Sequence, residues 1–351
     1  MRHRVLVLGL LVVAGASAMA ARQASQPPRQ PAHRFQRIAE GVYAAMATGT
    51  VNTVSNSAVI VNDDDVVVVD SHATPAAARA LIDDIKTLTP KPVRYVIDTH
   101  YHWDHAHGNQ AFGPDVTLIG HEFVRQMLLT NTLEGWSYRS FVDPVPGQVA
   151  NLRKQVEAEA DPARKATLAQ RLSVQEAYAE ALKEIRPTPP SVTYSDRMTL
   201  VRGSREIQLR YFGRGHTAGD TVVYLPKERV IVTGDLIVGA FPFMFMGDGF
   251  VNEWPDTVEK VLQQLDFDTV IPGHGDPYTD KQFIRNMQAY WRDLWTKAQA
   301  LKKQGVSAED AAKRVDMTNL KAMFPSLQNP GVDVRAMIRM YDVMDGRQLP
   351  R

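Results

Sequence analysis

Thr99-His100-Tyr101-His102-Trp103-Asp104-His105 places three imidazoles and a carboxylate within seven residues, just after the apolar, β-rich run Val93 to Ile97. In an extended segment, side chains two apart project the same way, so His100 and His102 converge on one point. Asp104 and His105 come from the turn that follows and face a second position. With ten histidines in 351 residues, an accidental H-x-H-x-D-H is expected in roughly 6 of 10,000 such chains. The bland alternative is a set of surface histidines in a polar loop. The location argues against it, because a loop leaving a buried strand is where a rigid scaffold meets free side chains.

One loop cannot saturate two metal ions, and three further segments offer ligands. Gly215-His216-Thr217 follows a strand ending at Phe212, Gly234-Asp235 follows Val230 to Thr233, and Gly273-His274-Gly275 follows Thr269 to Ile271. Glycine beside each candidate ligand permits a sharp turn and close backbone approach. The chain has no cysteine, which excludes disulfides, thiolate ligands, a cysteine nucleophile and a lipid-bearing cysteine. A metal must therefore rest on His, Asp and Glu. Zinc leads for such a set, with iron or manganese as alternatives.

The composition, 44% hydrophobic and 23% charged, fits a globular protein with a substantial core. Residues 1–20 have the form of an export signal: basic Met1-Arg2-His3-Arg4, apolar Val5 to Gly15, and a small-x-small site at Ala18-Met19-Ala20. The apolar run is short for a membrane span, so no stable membrane insertion is expected after its removal, and the mature protein is expected in the periplasm or outside the cell. Losing Arg2 and Arg4 takes the formal charge from +1 to −1, which offers no general field for nucleic acid. Residues 21–34 look like a flexible leader, and His33 is placed with it, outside the folded body.

Ser57 to Val61 and Asp65 to Asp70 form a hairpin pattern. Thr74-Pro75 supplies an N-cap and a first helical residue for the helix that follows. A second strand-rich block spans Val192 to Thr233, followed by a helix from Trp254 to Leu265. Two strand-rich halves with helices between and after them imply paired sheets covered by helices, an α/β sandwich. Residues 148–186 lack glycine and read as a helical hairpin inserted between the halves, packed on the body; a lid or partner arm is the sharper alternative. Residues 281–351 read as a C-terminal helical extension to a catalytic domain of 35–280. The stripe Phe283, Met287, Tyr290, Trp291, Leu294 and Trp295 suits a core helix.

From Ile38 to Tyr278 the chain resembles the metallo-β-lactamase superfamily, with the helical hairpin as an extra. The resemblance implies a four-layer αβ/βα sandwich with the site at the shared edge of two sheets. It implies that His100, His102 and His216 bind one zinc ion, that Asp104, His105 and His274 bind the other, and that Asp235 bridges them. Asp220 falls in the same G-H-T...G-D element as His216. The β-lactamases of this superfamily carry Cys, or Ser in the cysteine-free subclass, where this chain has Asp235, so the resemblance is closer to thioesterases, lactonases and related hydrolases. Asp70-Ser71-His72 also departs from the more common Asp-x-Gly.

The expected reaction is hydrolysis of a carbonyl bond in a small molecule (β-lactam, lactone, ester or thioester) by metal-activated hydroxide, with Asp104 orienting the nucleophile. Phosphodiester cleavage, an iron-dependent relative and a non-catalytic zinc-binding protein are the competing readings. Phe241, Phe243 and Phe245, directly after Asp235, are candidates for an apolar wall, and Trp136 and Tyr138 for the opposite one. Asp70 is positioned to orient a ligand histidine, and His72 to reach the metal rim or to stand behind a ligand as Asp70 does, the alternative being a turn residue. His107 and His121 read as structural. The sequence does not fix the oligomeric state.

Overall fold

Val66-Val67-Val68-Val69 forms a single strand in which every residue is buried. Successive side chains point to opposite faces. Val67 and Val69 pack between two sheets, while Val66 and Val68 pack against a helix. A strand apolar on both faces needs cover on both, and this requirement sets the layering of the molecule.

The computed structural model describes residues 30–130, 132–239 and 245–347, and Ala32–Arg351 makes one compact unit. The first sheet follows chain order: β1 (His33–Ala39), β2 (Val42–Ala47), β3 (Ser57–Val61), β4 (Val66–Val69), β5 (Val93–Asp98), β6 (Thr117–His121) and β7 (Val192–Tyr194). β1 to β4 pair antiparallel and β4 to β7 parallel. The second sheet contains β8 (Arg197–Arg202), β9 (Arg205–Tyr211), β10 (Thr221–Leu225) and β11 (Val230–Gly234), paired antiparallel, with β12 (Thr269–Pro272) parallel beside β11.

The helices are α1 (Pro75–Ile85), α2 (Trp103–Ala106), α3 (Glu122–Leu129), α4 (Trp136–Val142), α5 (Val145–Ala158), α6 (Pro162–Leu182), α7 (Trp254–Gln264), α8 (Lys281–Lys303), α9 (Ala308–Arg314) and α10 (Val334–Met344). α1 covers the outer face of the first sheet through Ala78, Leu81 and Ile85, and Thr74 Oγ1 caps it by accepting from Ala77 N. α7 to α10 cover the second sheet in a core that holds Trp254, Tyr290, Trp291 and Met337. Helix, sheet, sheet and helix make the expected four-layer sandwich. The inserted hairpin, α5 and α6, is tied down by Tyr178 and by Ile185 just beyond it, which pack with Trp103 and Tyr138. Among the described residues, no helix is long and apolar enough to cross a membrane. The expected export signal lies outside the described residues.

His33 requires a correction. It does not belong to a leader but opens β1 and is buried. Its Nδ1 lies 2.9 Å from Asp84 Oδ2 and its Nε2 lies 2.9 Å from His72 Nε2. The Pro- and Gln-rich composition just before it hid a strand whose own residues are mostly half-exposed, and such a strand has no clear apolar alternation to read.

Candidate metal centre

Four loops converge where the two sheets meet. The first leaves β5, and Thr221 N at the start of β10 donates to Thr99 O at 2.7 Å, tying that loop to the second sheet. Asp70, just past β4, grips it as well. Its Oδ1 accepts from Thr99 N at 2.8 Å, and its Oδ2 accepts from Thr99 Oγ1 and lies against His105 Nδ1, both at 2.8 Å. Asp70 adopts this position with a left-handed backbone, φ 65°, a conformation that Asp tolerates better than most residues. In the His216 loop, Asp220 accepts from Thr217 N and, at 2.6 Å, from Thr217 Oγ1, closing the turn that presents the imidazole.

The side chains then gather into two adjoining groups, bridged by a third made of His100, His105 and Asp235. His100, His102 and His216 have ligand atoms within 4.8 Å of one another, and so do Asp104, His105 and His274. His216 Nε2 lies 2.8 Å from His102 Nδ1. His274 Nε2 lies 3.1 Å from Asp104 Oδ2. Asp235 stands between the groups, 3.4 Å from His105 and His274 and 3.6 Å from His216. Gly273 leaves room for this convergence, since a Cβ there would collide with Asp235 Oδ1 and sit 2.7 Å from His105 Cε1.

Several of these buried atoms lack a hydrogen-bond partner, namely His100 Nε2, His105 Nε2 and Asp235 Oδ1. Buried polar atoms are rarely left so in folded proteins, and three that converge fit a cation. The charge balance fits too. Burial alone would lower the His105 imidazole, but Asp104, Asp235 and Asp70 outweigh it and raise it to about 9. Burial would raise Asp104, yet His105 and His274 bring it down to about 2. In the three-histidine group, burial followed by His102 holds His216 at about 3. Burial likewise holds His100 well below its ordinary value. Imidazoles held neutral at His100 and His216, and carboxylates at Asp104 and Asp235, are donors that zinc accepts.

A family model described as the metallo-beta-lactamase superfamily matches residues 51–274. The chain belongs to the metallo-β-lactamase superfamily. The type 2 metallo-β-lactamase of Bacillus cereus is 31% identical over 117 residues, 32% of this chain and 42% of that protein. That of Elizabethkingia meningoseptica is 32% identical over 87 residues, 24% of this chain and 35% of that protein. The 2,4-dinitroanisole O-demethylase subunit alpha of Nocardioides sp. (strain JS1661) is 22% identical over 244 residues, 69% of this chain and 55% of that protein. This chain thus spans between 35% and 55% of the length of these curated relatives. Among solved structures, a metallo-β-lactamase from Pontibacter korlensis superposes with a TM-score of 0.54 at 18% identity, covering 74% of this chain and 99% of the other. One from Erythrobacter litoralis gives 0.52 at 16%, covering 76% and 98%. At these identities the likeness is one of fold.

Around the metal centre of this superfamily member lies a cavity of about 200 Å3, lined by His102, Trp103, Asp104, Phe141, Asp235 and Phe245 among others. Phe245, one of the residues expected on the apolar wall, sets its ring 5.6 Å from that of His102. Phe241 and Phe243 lie outside the described residues. Trp136 lines a separate, larger cavity. Tyr138 lines neither of these cavities: it is buried in the cluster of Trp103 and Tyr178 that holds the inserted hairpin, so it packs instead of facing a ligand. His72 does not reach the metal rim, because its ring stacks on His33 and bonds Ser57 Oγ. His107 is buried beside Tyr138, and His121 caps α3 by accepting from Phe123 N. Asp248 escaped notice in the sequence. It is buried, and its Oδ2 accepts from Tyr101 Oη at 2.6 Å and from His102 Nε2 at 3.1 Å. It lies in a stretch of mixed glycines and aromatics with no motif of its own.

Proposed function

We propose that this chain is a zinc-dependent hydrolase that cleaves a carbonyl bond in a small molecule: an ester, thioester, lactone or lactam. One observation carries the reading: unpartnered, buried His and Asp atoms from separate loops face a common point. His100, His102 and His216 would hold one ion, and Asp104, His105 and His274 the other, with Asp235 between them. Zinc bound there would supply Lewis acidity toward a carbonyl oxygen and a hydroxide nucleophile at neutral pH.

The chain's own residues do the rest. Asp70 fixes the orientation of the His105 ring and Asp248 that of the His102 ring, so each imidazole presents its other nitrogen to the centre. Asp104, ionised because His105 and His274 stand beside it, is an acceptor that orients the attacking water. Phe245 and Phe141 keep bulk water from one side of the cavity.

The reading is tested with a panel of a β-lactam, a lactone, a thioester and a phosphodiester, assayed with and without chelator. An aryl methyl ether belongs in the panel, because one relative, aligned over 69% of this chain, is named as an O-demethylase subunit. Chelator-sensitive turnover of a carbonyl substrate is expected. Turnover of the phosphodiester or the ether alone would overturn the carbonyl assignment, and silence across the panel would overturn the enzyme.

A further inference from the structure

A second cavity, of about 1020 Å3, adjoins the metal centre. Ser137 lines both cavities, and Asp248 lines the larger one while accepting from His102. Tyr101, Phe123, Met127, Trp136 and Phe250 give it a largely apolar wall. Arg339 of α10, 1% exposed, also lines it.

The state of that guanidinium is unusual. Its Nε donates to Gly249 O at 3.1 Å, its Cζ lies 4.8 Å over the Phe250 ring, and its Nη1 has no partner. Among the described residues it makes no ion pair. Asp248 and Asp342 act on it only through space, Asp248 being engaged by Tyr101, His102 and Ser137 and Asp342 by Arg347. The other charges of the wall are matched or exposed. Glu253 pairs with Arg214, Arg347 pairs with Asp342 and Asp345, and Glu134 is exposed. A buried cation whose counter-charges act only at a distance is unfavourable, and a carboxylate matches the planar fork of a guanidinium with two parallel bonds.

We propose that this cavity binds an organic carboxylate with an apolar body, its acid group on Arg339 and its body against Tyr101, Trp136 and Phe250. Its size is that of a site for a small organic molecule. The position beside Ser137 and Asp248 assigns the carboxylate to the end of the substrate remote from the metals. As a statement about the substrate, this rests on the hydrolase reading above. The C-terminal helix thereby becomes part of the binding site. One turn earlier on it, Arg335 places its Cζ 5.1 Å over the Phe245 ring at the metal centre.

The test is calorimetric titration of the full-length, zinc-loaded protein with 1-naphthylacetate, 1-naphthylacetamide and inorganic phosphate. The acid is expected to bind, with the amide and phosphate at least about tenfold weaker. Arg339→Met is expected to reduce the acid to the level of the amide. Because that variant removes a buried group and can fail to fold, Met127→Trp provides a second arm by filling the cavity from its half-buried wall, and it is expected to abolish binding of both. Equal binding of acid and amide, no binding of either, or acid binding untouched by Met127→Trp (as when the metals alone hold it) would overturn the inference. The hydrolase panel run on the same preparations separates the two readings. A silent panel with Arg339-dependent binding sinks the hydrolase and leaves the anion site standing; an active panel without that binding does the reverse.

Discussion

His102 Nε2 donates to Asp248 Oδ2 at 3.1 Å, while His102 Nδ1 faces His216 Nε2 at 2.8 Å. The carboxylate thereby fixes which nitrogen of His102 carries the proton and which is left for a metal. Burial would raise Asp248, but His102, Tyr101 and Ser137 together hold it below the ordinary carboxylate range. Asp248→Asn should keep the shape and lose the charge. Zinc affinity is expected to fall about 10- to 100-fold, read by competition with a chromophoric chelator. Unchanged affinity would mean that Asp248 only fills space.

Gly273→Ala tests whether the convergence of the loops is tight enough to matter. Its added carbon would meet the Asp235 carboxylate and the His105 ring. Zinc content after dialysis should drop, with affinity lower by about tenfold or more. The unfolding midpoint measured in chelator should fall as well, because the added carbon also meets the backbone of Gly234 at 2.9 Å and overpacks a buried site. A variant retaining full metal content would show that the Asp235 loop is free to move aside.

Trp254 connects the site to the core. Its ring lies 5.4 Å from that of His216 and stacks on Trp291 at 4.5 Å, and its Nε1 donates to Leu236 O at 2.9 Å. Trp254→Ala should destabilise the fold by about 3–5 kcal/mol, measured by urea denaturation of the zinc-loaded protein. A loss below about 1 kcal/mol would contradict the packing described.

His72 predicts an acid sensitivity. Burial first, and then its neighbour His33, hold its imidazole well below the ordinary 6.5. The folded protein therefore keeps it neutral where the unfolded chain takes up a proton. Stability from this site is present above about pH 6.5 and is lost as pH falls below that value, by at most about 1.4 kcal/mol per pH unit. His72→Asn suits the left-handed backbone at this position, φ 69°. It should flatten the pH dependence of the unfolding free energy below about pH 6.5. An unchanged slope would place the titration elsewhere.

Much of the fold was legible because its signals are local. Asp65 to Asp70 and the block from Val192 to Thr233 read as strand-rich from composition alone, and Thr74 announced the helix that it caps. His33 and the strand β1 were missed because a half-exposed edge strand has little pattern. Tyr138 was taken for a wall residue because aromatic content does not say which side of a helix faces a ligand, and here the inserted hairpin covers it.

The sequence by itself determined the donor set. A cysteine-free chain with H-x-H-x-D-H after one strand, and His216, Asp235 and His274 after three others, commits those residue types to strand ends. Spacing along a chain is a covalent property, so it survives without a structure. Only the tertiary structure decided which nitrogen each histidine turns inward, because that depends on Asp70 and Asp248, 35 and 146 residues away in sequence. It alone carried Arg339, from the far end of the chain, into a cavity beside the metals. Contacts of this kind arise when layers pack, and local sequence holds no record of its distant neighbours.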